Sequence, residues 1–287
     1  MGVKFFGQFL LEKNVIKPHE LTKALEYWKQ RQIDFGDCAI SKGYITKENL
    51  KILKEKQKEI DMRFGEIAVQ LHMLTPAQVE EILNTQKTDN IYIGEALVKS
   101  GFMTNEDLER ELVLFREDQS EYATRGLSVP ENVVNPEIVR EIVSLTQKLF
   151  NRVARLKIKV DNGHINNEEP EQNFLIVSIA LTGTHRYEYC LSLPETLSKI
   201  ITSAITNDPV KDISSELAVD GVREFCNIIC GSIIAKLSQK GKVVDISTPH
   251  VVEFSNGSYN LVKGRRTIYY PLVSTDGQGT LVIIENN

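Results

Sequence analysis

The chain has 287 residues, of which 25% are charged and 41% hydrophobic, and a formal net charge of −5. This is the composition of a globular protein with material for two ordinary domains, and it excludes a disordered or fibrous chain. A net negative chain also argues against a partner held through phosphate neutralisation, so nucleic acid is not expected. In the opening "MGVKFFGQFLLEKNVIK", Glu12 and Lys13 interrupt any apolar targeting core, and no long apolar run follows. The expectation is a cytoplasmic protein with neither export signal nor membrane span. Cys38, Cys190, Cys226 and Cys230 lack metal-ligand spacing. They are expected to be buried free thiols in a chain without a metal cluster of its own.

Residues 1–118 carry an internal repeat. Phe6-Gly7, Phe35-Gly36, Phe64-Gly65 and Ile93-Gly94 follow one another at intervals of 29 residues, and the four segments align without gaps. Each reads as a short helix after the Gly, a turn at Asn14, Gly43, His72 or Gly101, and a second helix. Thr46, Thr75 and Thr104 have the position and chemistry of helix N-caps, with Asn49, Gln78 and Asp107 three residues on. The first copy uses Pro18 in the first turn instead. No single hairpin can bury its apolar stripe, so the copies must pack on one another in an all-helical domain.

These segments resemble the N-terminal domain of the type II secretion and pilus-assembly ATPases. In that family, tandem motifs of the form R-L-G-x-x-L-x-x-x-G, then L, then Q, bind cyclic di-GMP. The resemblance implies a nucleotide site in copies three and four. Arg63 would meet a guanine, backbone amides near Gly65 and Gly94 would meet phosphate, and Gln86 would stand at the closing Gln position. Phe5, Asp34 and Tyr92 occupy the leading Arg position in the other copies. The competing reading gives the Gly and Leu positions to hairpin packing alone and leaves Arg63 as a solvated surface charge.

A linker is expected over residues 119–131, where Gly126 and Pro130 interrupt helix, and a second domain over 132–287. "NPEIVREIVSLTQKLFNRVARLKIKV", residues 135–160, reads as an amphipathic helix, with Asn135 as its cap, Pro136 in its first turn, and Ile138, Ile142, Leu145 and Leu149 as its apolar face. After the polar "DNGHINNEEPEQN" come two strands, "FLIVSIALTG" and "HRYEYCLSL", joined by a turn at "TGTH". The helix "PETLSKIITSAIT", a longer helix from Ser214 to Gln239, and strands in "VVDISTPHVVEFSN", "RRTIYYPLVS" and "GTLVIIEN" complete an α+β pattern with a mostly antiparallel sheet. His185 and His250 read as strand-end histidines, and Gly264–Arg266 as a turn into a strand.

Within the long helix, Asp220, Glu224 and Asn227 stand at i, i+4 and i+7. That spacing puts three polar side chains on one stripe while Val222, Phe225, Ile228 and Ile229 can turn inward. The element order, "VNPEIV" at its head, and an acidic or Ser residue followed by Glu and Asn at this spacing, with Gly231 behind, resemble the chemotaxis phosphatases typified by CheX and CheC. The resemblance implies hydrolysis of the aspartyl phosphate of a phosphorylated, CheY-like response regulator. Asn227 would orient the attacking water, Glu224 would pair with a regulator lysine, and Asp220 would help dock the partner. Any Mg²⁺ would lie in the regulator's acidic pocket. The family also suggests a homodimer through the sheet. Two other readings stay open: a non-catalytic adaptor that only binds a regulator, and a cyclic di-GMP-responsive signalling protein.

Overall fold

In a computed structural model of the chain, the residues described are 3–60, 62–120, 127–183, 185–252 and 259–286. They fall into two compact units, Lys4–Ala123 and Thr124–Asn287 together with Met1–Val3. Part of the expected linker, Thr184 of the "TGTH" turn, and Glu253 to Asn256 of the "VVEFSN" stretch lie outside the described residues.

The first unit is helical, with α1 (Phe6–Glu12), α2 (Pro18–Lys29), α3 (Phe35–Ser41), α4 (Lys47–Glu59), α5 (Phe64–Gln70), α6 (Pro76–Asp89), α7 (Ile93–Lys99) and α8 (Asn105–Asp118). Asn14, Gly43, His72 and Gly101 all take positive φ in the turns after the short helices, the conformation that ends a helix and that Gly and Asn adopt most readily. The hydroxyls of Thr46, Thr75 and Thr104 accept from the N–H of Asn49, Gln78 and Asp107 at 3.2, 3.3 and 3.1 Å. Orphan amides at the helix starts are thereby satisfied.

The glycines that mark the 29-residue spacing sit where two helices nearly touch. A Cβ at Gly7, Gly36, Gly65 or Gly94 would lie 2.7, 2.4, 2.7 and 2.4 Å from Leu21, Leu50, Val79 and Leu108 respectively. Two cores result. Phe6, Leu10, Ala24, Ala96 and Leu97 join the first and fourth segments, and Cys38, Leu53, Ile67 and Ile82 join the second and third.

The second unit is a sheet with helices. Its elements are α9 (Pro136–Arg152), β1 (Lys159–Val160), β2 (His164–Ile165), β3 (Leu175–Gly183), β4 (Arg186–Leu193), α10 (Glu195–Thr206), α11 (Ser215–Gln239), β5 (Val244–Ile246), β6 (His250–Val251), β7 (Thr267–Ser274) and β8 (Gly277–Asn286). The strand order is β1-β7-β8-β4-β3-β5, with β2 on β7 and β6 on β3, and the paired strands run antiparallel. The helix expected to run to Val160 stops at Arg152, with Arg155 at positive φ beyond its end, and Lys159–Val160 pairs with β7 as β1 instead; the polar stretch that follows contributes β2, where no strand is expected from its composition. The sheet ends in strands of two or three residues, which leaves little backbone for the edge pairing of the expected homodimer.

Alternation along the central strands sorts their side chains between two faces. Val177, Ile179, Tyr189, Leu191, Tyr270 and Ile283 pack with the helices, whereas Ile176, Cys190, Val282 and Ile284 pack with Tyr259 and Leu261. The second face is held closed by Glu169, whose carboxylate accepts from the N–H of Leu261 and Val262 at 2.8 and 2.9 Å.

Candidate functional site

The long helix α11 positions the candidate residues. Ser214 caps it, accepting from the Leu217 N–H at 3.1 Å, and 25 residues follow without a break. One side is fully committed to the core through Val222, Phe225, Cys226, Ile229, Cys230 and Ile233, all at 0% exposure. The rings of Phe225 and Phe150 meet edge to face at 4.9 Å, a favoured aromatic geometry. A second anchor is Gly221, where a Cβ would fall 2.1 Å from Thr202 Oγ1 of α10. The helix therefore has no freedom to rotate about its axis without opening the core.

With the apolar side fixed, the other side is fixed as well. Asp220, Glu224, Asn227 and Gly231 are all exposed and follow one another along a single stripe, with Asp220 and Asn227 about 10 Å apart along the helix axis. Asp220 forms an ion pair with Arg223 at 3.5 Å, and Arg223 donates from its other nitrogen to the carbonyl of Pro249 at 3.3 Å. Arg223 thus borders the stripe and ties α11 to the segment between β5 and β6. Sequence reasoning missed it, although its i,i+3 spacing from Asp220 is a recognisable pairing signal. Ile228, expected to turn inward, is only half-buried beside the stripe, because the core-facing arc at that level is already filled by Phe225 and Ile229.

The stripe is open to solvent. Two of the clefts in this unit lie elsewhere, one of them about 790 Å³ and lined by residues that include Ile165, Gly264, Arg266 and Glu285. Neither is lined by Glu224 or Asn227. A carboxylate and a carboxamide on an open helix face cannot enclose a small substrate, but they can enter the pocket of another protein. Asn227 brings a donor and an acceptor in one uncharged group, and Glu224 brings a carboxylate suited to a cationic partner group.

The histidines take structural places. Nδ2 of Asn135 lies 3.1 Å from His185 Nδ1, and Asn135, expected to cap α9, stands at the start of that helix without a side-chain capping bond. His250 is exposed on the short strand β6.

The cysteines are free and buried. Burial pushes the Cys190 thiol up to about 12, and it raises Cys226 and Cys230 in the same direction. All three stay protonated near neutrality and are poor nucleophiles. The native protein is expected to leave them unreacted toward a thiol reagent at pH 7 and to expose all four cysteines on unfolding in guanidinium. A rapidly titrating equivalent from Cys226 or Cys230 in the native state would contradict their placement. Among the described residues, no group of three or more His, Cys, Asp or Glu could hold a metal ion.

In the helical unit, the nucleotide candidates are divided between the two cores. Gly65 packs against Val79 and the Phe35 ring, and Gly94 against Leu108 and the Phe6 ring. Gln86 donates its amide to the Ile33 carbonyl at 2.7 Å. Arg63 stands exposed at the start of α5, with its backbone N–H donating to Glu66 at 2.8 Å.

No curated protein matches the chain. A chemotaxis protein CheX from Desulfovibrio desulfuricans is similar at 19% identity and TM-score 0.46, over 52% of this chain and 99% of that one. A CheC-like superfamily protein from Shewanella gives 20% identity and TM-score 0.47, over 54% and 100%. A chain of a CheX–CheY–BeF₃–Mg²⁺ complex from Borrelia burgdorferi gives 18% and 0.42, over 52% and 97%. Residues 175–272 match the family model of the chemotaxis phosphatase CheX, so this stretch, from the first residue of β3 into β7 and including Asp220, Glu224 and Asn227, is a CheX family domain.

Proposed function

We propose that the second unit is a phosphatase for the aspartyl phosphate of a CheY-like response regulator. The observation that carries this reading is the exposed Glu224–Asn227 pair on a helix whose other side is locked into the core, inside the stretch that matches CheX. An aspartyl phosphate is a mixed anhydride, activated toward water. Hydrolysis forms a bond from water oxygen to phosphorus and breaks the bond from phosphorus to the carboxyl oxygen. A carboxylate and inorganic phosphate leave, and no nucleophile from the phosphatase is required.

Asn227 enters the regulator's site and holds the attacking water in line through its carboxamide. Glu224 pairs with a lysine beside the phosphoryl group and sets the depth of entry, and Asp220 contributes to docking. Mg²⁺ belongs to the regulator's acidic pocket, where it would neutralise charge on the transferring phosphoryl group.

The helical unit takes a localising or regulatory role in this reading. The repeat motif supports cyclic di-GMP as its effector, with exposed Arg63 as the contact, since Gln86 is already bonded and Gly65 and Gly94 are packed.

The test is phosphate release from a phosphorylated CheY-type receiver with the full chain at one-twentieth of the receiver concentration. Complete loss of the phosphoryl group at that ratio, faster than from the receiver alone, requires turnover and supports the enzyme. Loss limited to one equivalent, or binding with an unchanged phosphate lifetime, selects the adaptor instead.

A further inference from the structure

The helix α11 contains two interior glycines, and only one of them is explained by the chain itself. At Gly221 the absent side chain is filled by Thr202, three of whose atoms would lie within 2.6 Å of a Cβ. At Gly231 a Cβ would meet nothing within 4 Å among the described residues, the residue is exposed, and its φ is not positive. Among the described residues, no turn, packing contact or backbone conformation calls for glycine there. Alanine would favour the helix, because glycine loses more backbone freedom on folding than any other residue.

Position then gives the anomaly meaning. Gly231 lies one helical turn beyond Asn227 on the same exposed stripe, about 6 Å along the axis. Whatever docks over Glu224 and Asn227 therefore comes against Gly231 as well, and in the phosphatase reading that occupant is the phosphorylated receiver.

We infer that Gly231 is a clearance: the backbone of the phosphorylated receiver comes against α11 at this position when Asn227 is inserted, and a side chain would hold it off. The inference rests on the phosphatase reading for the identity of the partner, but what it adds is a limit on how closely the two chains approach.

The experiment uses the full chain with Gly231→Ala and Gly231→Leu, measuring thermal unfolding, affinity for CheY-type receivers phosphorylated with acetyl phosphate, and phosphate release in parallel. Open space at the site lets both variants fold. Gly231→Ala is expected to raise the unfolding midpoint of the second unit by about 2 °C and to weaken receiver binding two- to threefold. Gly231→Leu is expected to weaken binding more than tenfold at undiminished stability. Parental affinity in Gly231→Leu overturns the clearance even if the parent is an active phosphatase. A parent that binds the phosphorylated receiver without shortening its lifetime overturns the enzyme reading and leaves the Gly231 comparison decisive. A parent that binds no phosphorylated receiver overturns both.

Discussion

Asn227→Ala is expected to lower the rate of receiver dephosphorylation by about 100-fold, the scale seen when one well-placed hydrogen-bonding group is removed from a reacting centre. The thermal unfolding midpoint should move by less than about 1 °C, because exposed substitutions away from packing and caps are usually near neutral. Asn227 is exposed, so truncating it opens no cavity, and Ala is the better helix former. The loss should fall on the rate at saturating receiver and only weakly on the receiver concentration needed for half-saturation, since docking is assigned to Glu224 and its neighbours. Glu224→Ala should show the opposite division, with a raised half-saturation concentration. Asn227→Asp separates geometry from charge: it keeps the size of the side chain but places a carboxylate beside phosphate, so it should be no better than Ala. Parental turnover by Asn227→Ala would remove the water-orienting role.

Much of this site is legible in the amino-acid sequence, for a simple reason. A helical stripe depends only on the helical repeat, so Asp220, Glu224 and Asn227 share a face as soon as the segment is read as a helix. The same holds for the turn residues Asn14, Gly43, His72 and Gly101, whose positive φ is a local property. What the sequence conceals is whatever depends on the element opposite. Arg223 meets Pro249, 26 residues further on, and nothing in the spacing of either residue announces the contact. The different standing of Gly221 and Gly231 is equally hidden, because one faces Thr202 and the other faces none of the described residues. In the helical unit, four segments written in one pattern give no hint that the first packs with the fourth and the second with the third. The strands β1 and β2 are too short for alternation to register; they form because β7 offers an open edge to pair with.

Gly221→Ala probes the support of the site rather than its chemistry, and it should destabilise the second unit by about 2 kcal/mol, within the usual cost of overpacking a close helix contact. Two effects oppose each other. Alanine improves helix propensity by about 1 kcal/mol, but its Cβ would stand 2.1, 2.5 and 2.6 Å from Thr202 Oγ1, Cγ2 and Cβ. The hydroxyl can rotate away from the contact. The Cβ cannot, because it is fixed to the α10 backbone, so the two helices must separate. Thr202 is itself at 0% exposure and bonds the carbonyls of Ser198 and Ala218 at 2.8 and 3.3 Å, which leaves it no empty space to enter. Clash therefore outweighs propensity. Adding Thr202→Ala removes two of the three closest atoms, and the double variant should recover roughly 1 kcal/mol relative to the sum of the single changes, a coupling typical of residues in contact. Denaturant unfolding of the four proteins measures it directly. Because Asp220 and Glu224 flank Gly221 on the same helix, the separated α10–α11 pair should also dephosphorylate the receiver more slowly at temperatures where the variant is still folded. A fully additive cycle, or a Gly221→Ala protein as stable as the parent, would mean that α11 is held by its apolar side chains alone and that Thr202 gives way freely.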